Sequence, residues 1–139
     1  MIRILLALAF MVTAANAQTS FTADGKISVK STLVANNTTA VVIKATAGTV
    51  YQVDGYSNGT TLAYVKLYNG TGVVCGSGTP TARYLIPFGA TSSGAGFVTP
   101  NINGDAYIGG ITMCVTGGIA DNDTTSPAAS TFIVNVHFK

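Results

Sequence analysis

Residues 55–59 read Gly-Tyr-Ser-Asn-Gly, the G-x-S-x-G spacing of a hydrolase nucleophile elbow. Asp121 and His137 follow Ser57 in the chain order Ser, Asp, His that such enzymes use. The chemistry would be acyl transfer: the serine attacks a carbonyl, the imidazole takes its proton and the carboxylate orients the imidazole. An elbow of this kind needs a strand, a strained turn and then a helix packed behind the serine. After the motif the chain continues TTLAYVKLYN, which alternates like a strand, and Asn58-Gly59 is itself a hairpin signal. The letters therefore read as a β-turn. His137, the single histidine, falls on the polar side of a terminal strand pattern, where an exposed strand histidine is the simpler account.

Other residue types that carry chemistry are sparse. Glutamate is absent, and Asp24, Asp54, Asp105, Asp121 and Asp123 all sit in or near turn signals, with no glycosidase-type carboxylate pair. Asp121-Asn122-Asp123-Thr124-Thr125 is the densest oxygen cluster. Alternate carboxylates in a loop bind calcium, but the glycine and distal glutamate of an EF-hand loop are missing. Asx-turns leading into the last strand account for the same letters. The Gly-rich stretches near 70–78 and 94–96 match no phosphate-binding fingerprint followed by a helix. No cofactor, metal or catalytic residue is assigned.

Cys75 and Cys114 allow one intramolecular pairing. A bridge between them would close a loop of roughly 40 residues and stabilise the fold by about 3–4 kcal/mol; two buried thiols are the alternative. With one distant histidine they lack zinc-ligand spacing. Tyr56, Tyr64, Tyr68 and Tyr84 are candidate interface residues, because tyrosine offers rigid apolar area with a polar tip. Cross-strand pairing within the sheet explains them equally well. Asn-x-Thr sequons at Asn36, Asn37, Asn58, Asn69 and Asn122 would accept glycans only in a eukaryotic secretory pathway.

The elements that must position these residues follow from composition and pattern. A chain of 139 residues corresponds to one domain. Residues 1–17, MIRILLALAFMVTAANA, are expected to be a helical signal-like segment. Arg3 supplies a positive start, residues 4–12 an apolar run, and Ala15-Asn16-Ala17 a small-x-small cleavage site before Gln18. The run is too short to cross about 30 Å of hydrocarbon; a buried arm or an uncleaved anchor is the alternative. Residues 18–25 read as a loose N-terminal arm and 26–139 as the domain. Past Arg3, six Lys/Arg face five Asp, and Lys26, Lys30, Lys44, Lys66 and Arg83 are spread singly. Neither the clustered basic surface of a nucleic-acid binder nor a basic amphipathic membrane helix is present in the sequence.

Seven stretches favour β structure: 26–34, 39–46, 49–56, 61–69, 82–88, 107–117 and 130–139, each rich in Val, Ile, Thr, Tyr or Phe and bounded by Gly, Asn, Asp or Pro. In the last, Phe132, Val134, Val136 and Phe138 alternate with Ile133, Asn135, His137 and Lys139, so one face is buried and the other mostly wet. Ala63, Val65 and Leu67 oppose Tyr64, Lys66 and Tyr68 in the same way. Asn58-Gly59, Asn69-Gly70 and Asn103-Gly104 read as tight turns, and 76–80 and 91–96 as loops. The sum is an all-β protein: a single antiparallel β-sandwich or jelly-roll-like domain.

AYVKLYN (63–69), CGSGTPTARYLIPF (75–88) and GGITMCVTGGIADNDTTSPAASTFIVNVHFK (109–139), in that order, resemble a group of small proteins encoded by tailed bacteriophages and prophages. The resemblance covers about residues 40–139. It implies a non-enzymatic virion structural or capsid decoration protein that binds a repetitive protein surface, and brings no catalytic residues with it. The signal-like start supports an alternative, an exported bacterial surface or adhesive sandwich that binds glycans or neighbouring subunits. The protein is accordingly expected on a virion or in an extracellular or periplasmic space, with self-association open, since symmetric lattices suit trimers or larger rings.

Overall fold

In the computed structural model the described residues are 20–23, 27–35, 39–57, 62–86, 95–127 and 131–139. The signal-like segment, half of the arm, the Asn58-Gly59 turn and the sequons at Asn36, Asn37 and Asn58 lie outside them. Every regular element among the described residues is a strand: β1 (Ser20–Ala23), β2 (Ile27–Ala35), β3 (Val41–Lys44), β4 (Gly48–Ser57), β5 (Ala63–Asn69), β6 (Ala82–Ile86), β7 (Ala95–Tyr107), β8 (Ile111–Thr116) and β9 (Thr131–Phe138). They form a five-stranded sheet in the order β1-β2-β9-β4-β7 and a four-stranded sheet in the order β3-β8-β5-β6, antiparallel throughout. The all-β sandwich read from the sequence is the fold.

Side chains of alternate residues point to one face of a strand, so each strand contributes every second residue to the space between the sheets. Val50 and Val53 of β4, Phe97 and Tyr107 of β7 and Phe132, Val134 and Val136 of β9 meet Ala63, Val65 and Leu67 of β5, Ile86 of β6 and Ile111, Met113 and Val115 of β8. Each of these is nine-tenths or more removed from solvent. Burying a side chain of this size stabilises the fold by about 1.5–3 kcal/mol. A hydrogen bond between described residues ties the sheets on each lateral side. Lys30 Nζ on β2 donates to the Val42 carbonyl on β3 at 2.6 Å, and the Tyr84 hydroxyl on β6 donates to Asp105 Oδ2 on β7 at 3.2 Å.

Four local readings are corrected. The arm is not wholly loose: Ser20–Ala23 pair with Ile27–Lys30, where the β2 backbone offers hydrogen-bond partners. Residues 107–117 are not one strand, because Tyr107 ends β7, Gly110 turns at φ +109° and β8 begins at Ile111. The stretch AGFVTPNINGDAY, with its Gly, Pro and Asn-Gly breakers, forms the thirteen-residue β7. An edge position tolerates them, since Pro100 needs no ladder partner on its free side. Asn103-Gly104 is not a hairpin turn but part of a bulge. The register jumps from Gln52↔Pro100 to Val50↔Asp105, Gly104 adopts φ +71° and its N–H donates to Asn101 Oδ1 at 3.1 Å.

Candidate functional site

Sheet parity decides the fate of the Ser-Asp-His order. Ser57 pairs with Phe132 and is fully buried on the inner face, whereas His137 pairs with Gln52 on the outer face. The two side chains lie on opposite sides of the same sheet. Asp121 sits in the β8–β9 connection and accepts from Arg83 Nε at 2.7 Å and from Arg83 Nη2. The residues after the G-x-S-x-G letters enter β5, a strand, where an elbow demands a helix.

His137 finds another carboxylate. On the outer face of the five-stranded sheet, Asp54 accepts from Gln52 Nε2 at 2.9 Å, from Asn135 Nδ2 at 2.8 Å and from His137 Nε2. Burial pushes the Asp54 pKa up, but the bonds from Asn135, Gln52 and His137 outweigh it and hold the carboxyl below the ordinary aspartate value. Both carboxylate oxygens are thus occupied by the protein's own donors. Spacing along the chain does not reveal this cluster; its one signal in the sequence is the alternation of β9, which puts Asn135 and His137 on one face.

Around Asp54 the same face exposes apolar side chains. Tyr56 is 41% exposed, its cross-strand neighbour Ile133 39%, and Val98, opposite Asp54 on β7, 64%.

The outer face of the four-stranded sheet is built in the opposite way. Lys66 and Tyr68 of β5 and Thr112, Cys114 and Thr116 of β8 are all buried there. The wet outer face expected for β5 is therefore a second core. Two loops cover it. The β5–β6 loop carries Cys75, which is disulfide-bonded to Cys114 with the Cα atoms 5.8 Å apart. Tyr68, Cys75, Cys114, Ala40 and Val73 pack together under it. The β8–β9 connection supplies the Ala120 carbonyl, which accepts from Lys66 Nζ at 2.6 Å. Burial pushes the Lys66 ammonium below the ordinary lysine value, with Asp123 and Asp121 opposing that shift. Gly76, at φ +80°, lets the two loops touch: a Cβ there would stand 2.3 Å from Thr124 Cγ2.

The calcium-like letters have their own use. Asp123 Oδ1 accepts from the Thr125 N–H at 2.9 Å, the Thr125 hydroxyl at 2.7 Å and the Gly118 N–H at 3.2 Å, an Asx-turn that closes the loop. The Thr125 hydroxyl is the main cause that holds its carboxyl below the ordinary value. With Asp121 on Arg83, no group of three or more His, Cys, Asp or Glu side chains among the described residues is placed to hold a metal.

Of the four candidate tyrosines, Tyr56 alone has an open face. Tyr68 is 3% exposed, so it cannot contribute surface to an interface. Tyr84 packs against the core with its hydroxyl on Asp105, and Tyr64 is half-buried. Burial pushes the phenols of Tyr68, Tyr84 and Tyr107 above the ordinary tyrosine value. The most exposed large apolar side chains among the described residues are Ile102 (94%) in the β7 bulge, Ile108 (84%) in the following turn and Val74 (69%) in the β5–β6 loop.

Among the described residues no helix is long and apolar enough to cross a membrane. The disulfide is of a kind that forms and persists in oxidising compartments. No protein-family model matches the chain, and no curated protein matches it. Among solved structures it is similar to a chain of the Bacillus endospore appendages, described as a novel family of disulfide-linked pili, at 17% identity and a TM-score of 0.31, over 98% of each chain. A likeness at that level carries no argument about what this chain does.

Proposed function

We propose that the protein is a non-enzymatic, phage-type virion structural or capsid decoration subunit that docks on a repetitive protein surface. The observation that carries this reading is the unequal treatment of the two outer faces. The middle of one, on β5 and β8, is covered by two loops, a disulfide and the buried Lys66, with Val42 and Leu85 exposed towards its edges, while the other exposes Tyr56, Ile133 and Val98 around the Asp54 cluster. Exposed aromatic and aliphatic side chains around satisfied polar groups are the composition of a protein-binding patch. The motifs that resemble phage proteins are strands and connections of both sheets. AYVKLYN is β5, CGSGTPTARYLIPF holds Cys75 and β6, and residues 109–139 supply β8, the covering connection and β9.

The test is mass spectrometry and cryo-electron microscopy of particles from the encoding phage or induced prophage. The expected result is this chain at a stoichiometry that matches a capsid lattice or a tail vertex, lost on Tyr56→Ala with Ile133→Ser. Absence from purified particles would remove the reading. A second reading, an exported surface or adhesive sandwich, is supported by the Cys75–Cys114 bridge, which favours an oxidising compartment. Recovery of a chain starting at Gln18 from cell surfaces or supernatant, and not from particles, would decide for it.

A further inference from the structure

The four sheet edges differ in how they are protected. An edge strand presents unpaired N–H and C=O groups and invites another strand, so proteins blunt edges with short length, charge, bulges or proline. β1 is four residues long. β3 is four residues long, its register is interrupted between Val42 and Lys44, and it carries Lys44. β6 is five residues long and exposes Arg83. β7 is thirteen residues long, its ladder partner among the described residues is β4, and no charged residue occurs from Ala95 to Gly104. Its protection is local: Pro100 and the Asn101–Gly104 bulge guard one part, and among the described residues 95–99 pair on one side only, with Val98 64% exposed.

We propose that β7 pairs with β7 of a second copy of this chain, antiparallel along residues 95–99, about a two-fold axis at Phe97. The occupant follows from charge. An isologous contact sets each residue near its own copy, so any charge at the axis repels itself. Residues 95–99 are Ala, Gly, Phe, Val and Thr, which are free of that penalty, whereas β3 and β6 would confront Lys44 or Arg83 with itself. Pairing sets each Val98 across from Gly96 of the other copy and joins two five-stranded sheets into one ten-stranded sheet. The two outer faces, each with Asp54, Tyr56 and Ile133, then become one continuous surface. Pro100, lacking an N–H, and the bulge after it end the shared ladder. The pairing goes beyond the particle-docking reading and does not depend on it.

Sedimentation equilibrium of the full chain is expected to give a concentration-dependent dimer. Val98→Lys and Val98→Glu, each alone, place like charges beside the axis and weaken the dimer at least about tenfold. An equimolar mixture of the two variants restores it as a heterodimer. Unchanged melting temperatures of the variants show that the domain itself is intact. A wild-type monomer at every concentration, or variants that dimerise as wild type does, would overturn the proposal. So would a mixture that fails to recover. Particle binding is read separately, by co-sedimentation, so either idea can fail without the other.

Discussion

Lys66, on the middle strand pair of the smaller sheet, donates its ammonium to the carbonyl of Ala120, 54 residues further along the chain. No part of Lys66 reaches solvent. A buried cation is tolerated where it has a partner, and here the partner is the loop that makes it buried. Cation and loop hold each other.

Lys66→Met keeps much of the side-chain volume but leaves the Ala120 carbonyl without its donor. A hydrogen bond to a charged group contributes about 1.5–3 kcal/mol, so the variant is expected to lose stability on that scale. Hydrogen exchange in residues 117–127 accelerates at the same time. Denaturant melts of equal midpoint, with unchanged exchange in this loop, would contradict the account.

The Cys75–Cys114 bridge spans 39 positions of sequence and pins the β5–β6 loop over Cys114. Cross-linking a loop of that length stabilises by about 3–4 kcal/mol through the unfolded chain. Cys75→Ala with Cys114→Ala, or reduction, should lower the melting temperature by roughly 10 °C for a domain of this size. A reduced protein that melts with the oxidised one would show that the bridge contributes nothing.

Acid acts on the open face. The folded-state pKa of Asp54 is lowered, so its contribution to stability is present above the ordinary aspartate value of about 3.9. That contribution disappears as pH falls through the folded value. Asp54→Asn should therefore lose less stability between pH 7 and pH 3 than the unaltered protein, in thermal melts across that range. Identical pH profiles would refute the role of the Gln52, Asn135 and His137 bonds.

Ser57 faces the interior beside Phe132 while His137 faces outward. A fluorophosphonate probe, which reports activated serines, is expected to leave the protein unlabelled. Adduct formation at Ser57 would show an activated hydroxyl and reopen the hydrolase reading.

The alternation of β9 and the turn chemistry before each strand determined the fold class from local pattern alone. Period-two hydrophobicity in 130–139, Asn-Gly pairs and the absence of helical periodicity leave an antiparallel sandwich as the way to bury one side of each strand. Two cysteines likewise left one intramolecular pair. Only tertiary structure decided the rest, because it depends on what lies across from a strand and above it. Residues 91–96 read as loop and Asn103-Gly104 as a tight turn, yet an edge position asks for one ladder partner instead of two, and β7 forms over 95–107. The alternation of β5 put Lys66 and Tyr68 outward correctly, but whether outward means wet depended on two loops that return from other parts of the chain. His137 found Asp54, not Asp121, because strand register sets neighbours at long range, and no spacing along the sequence encodes it.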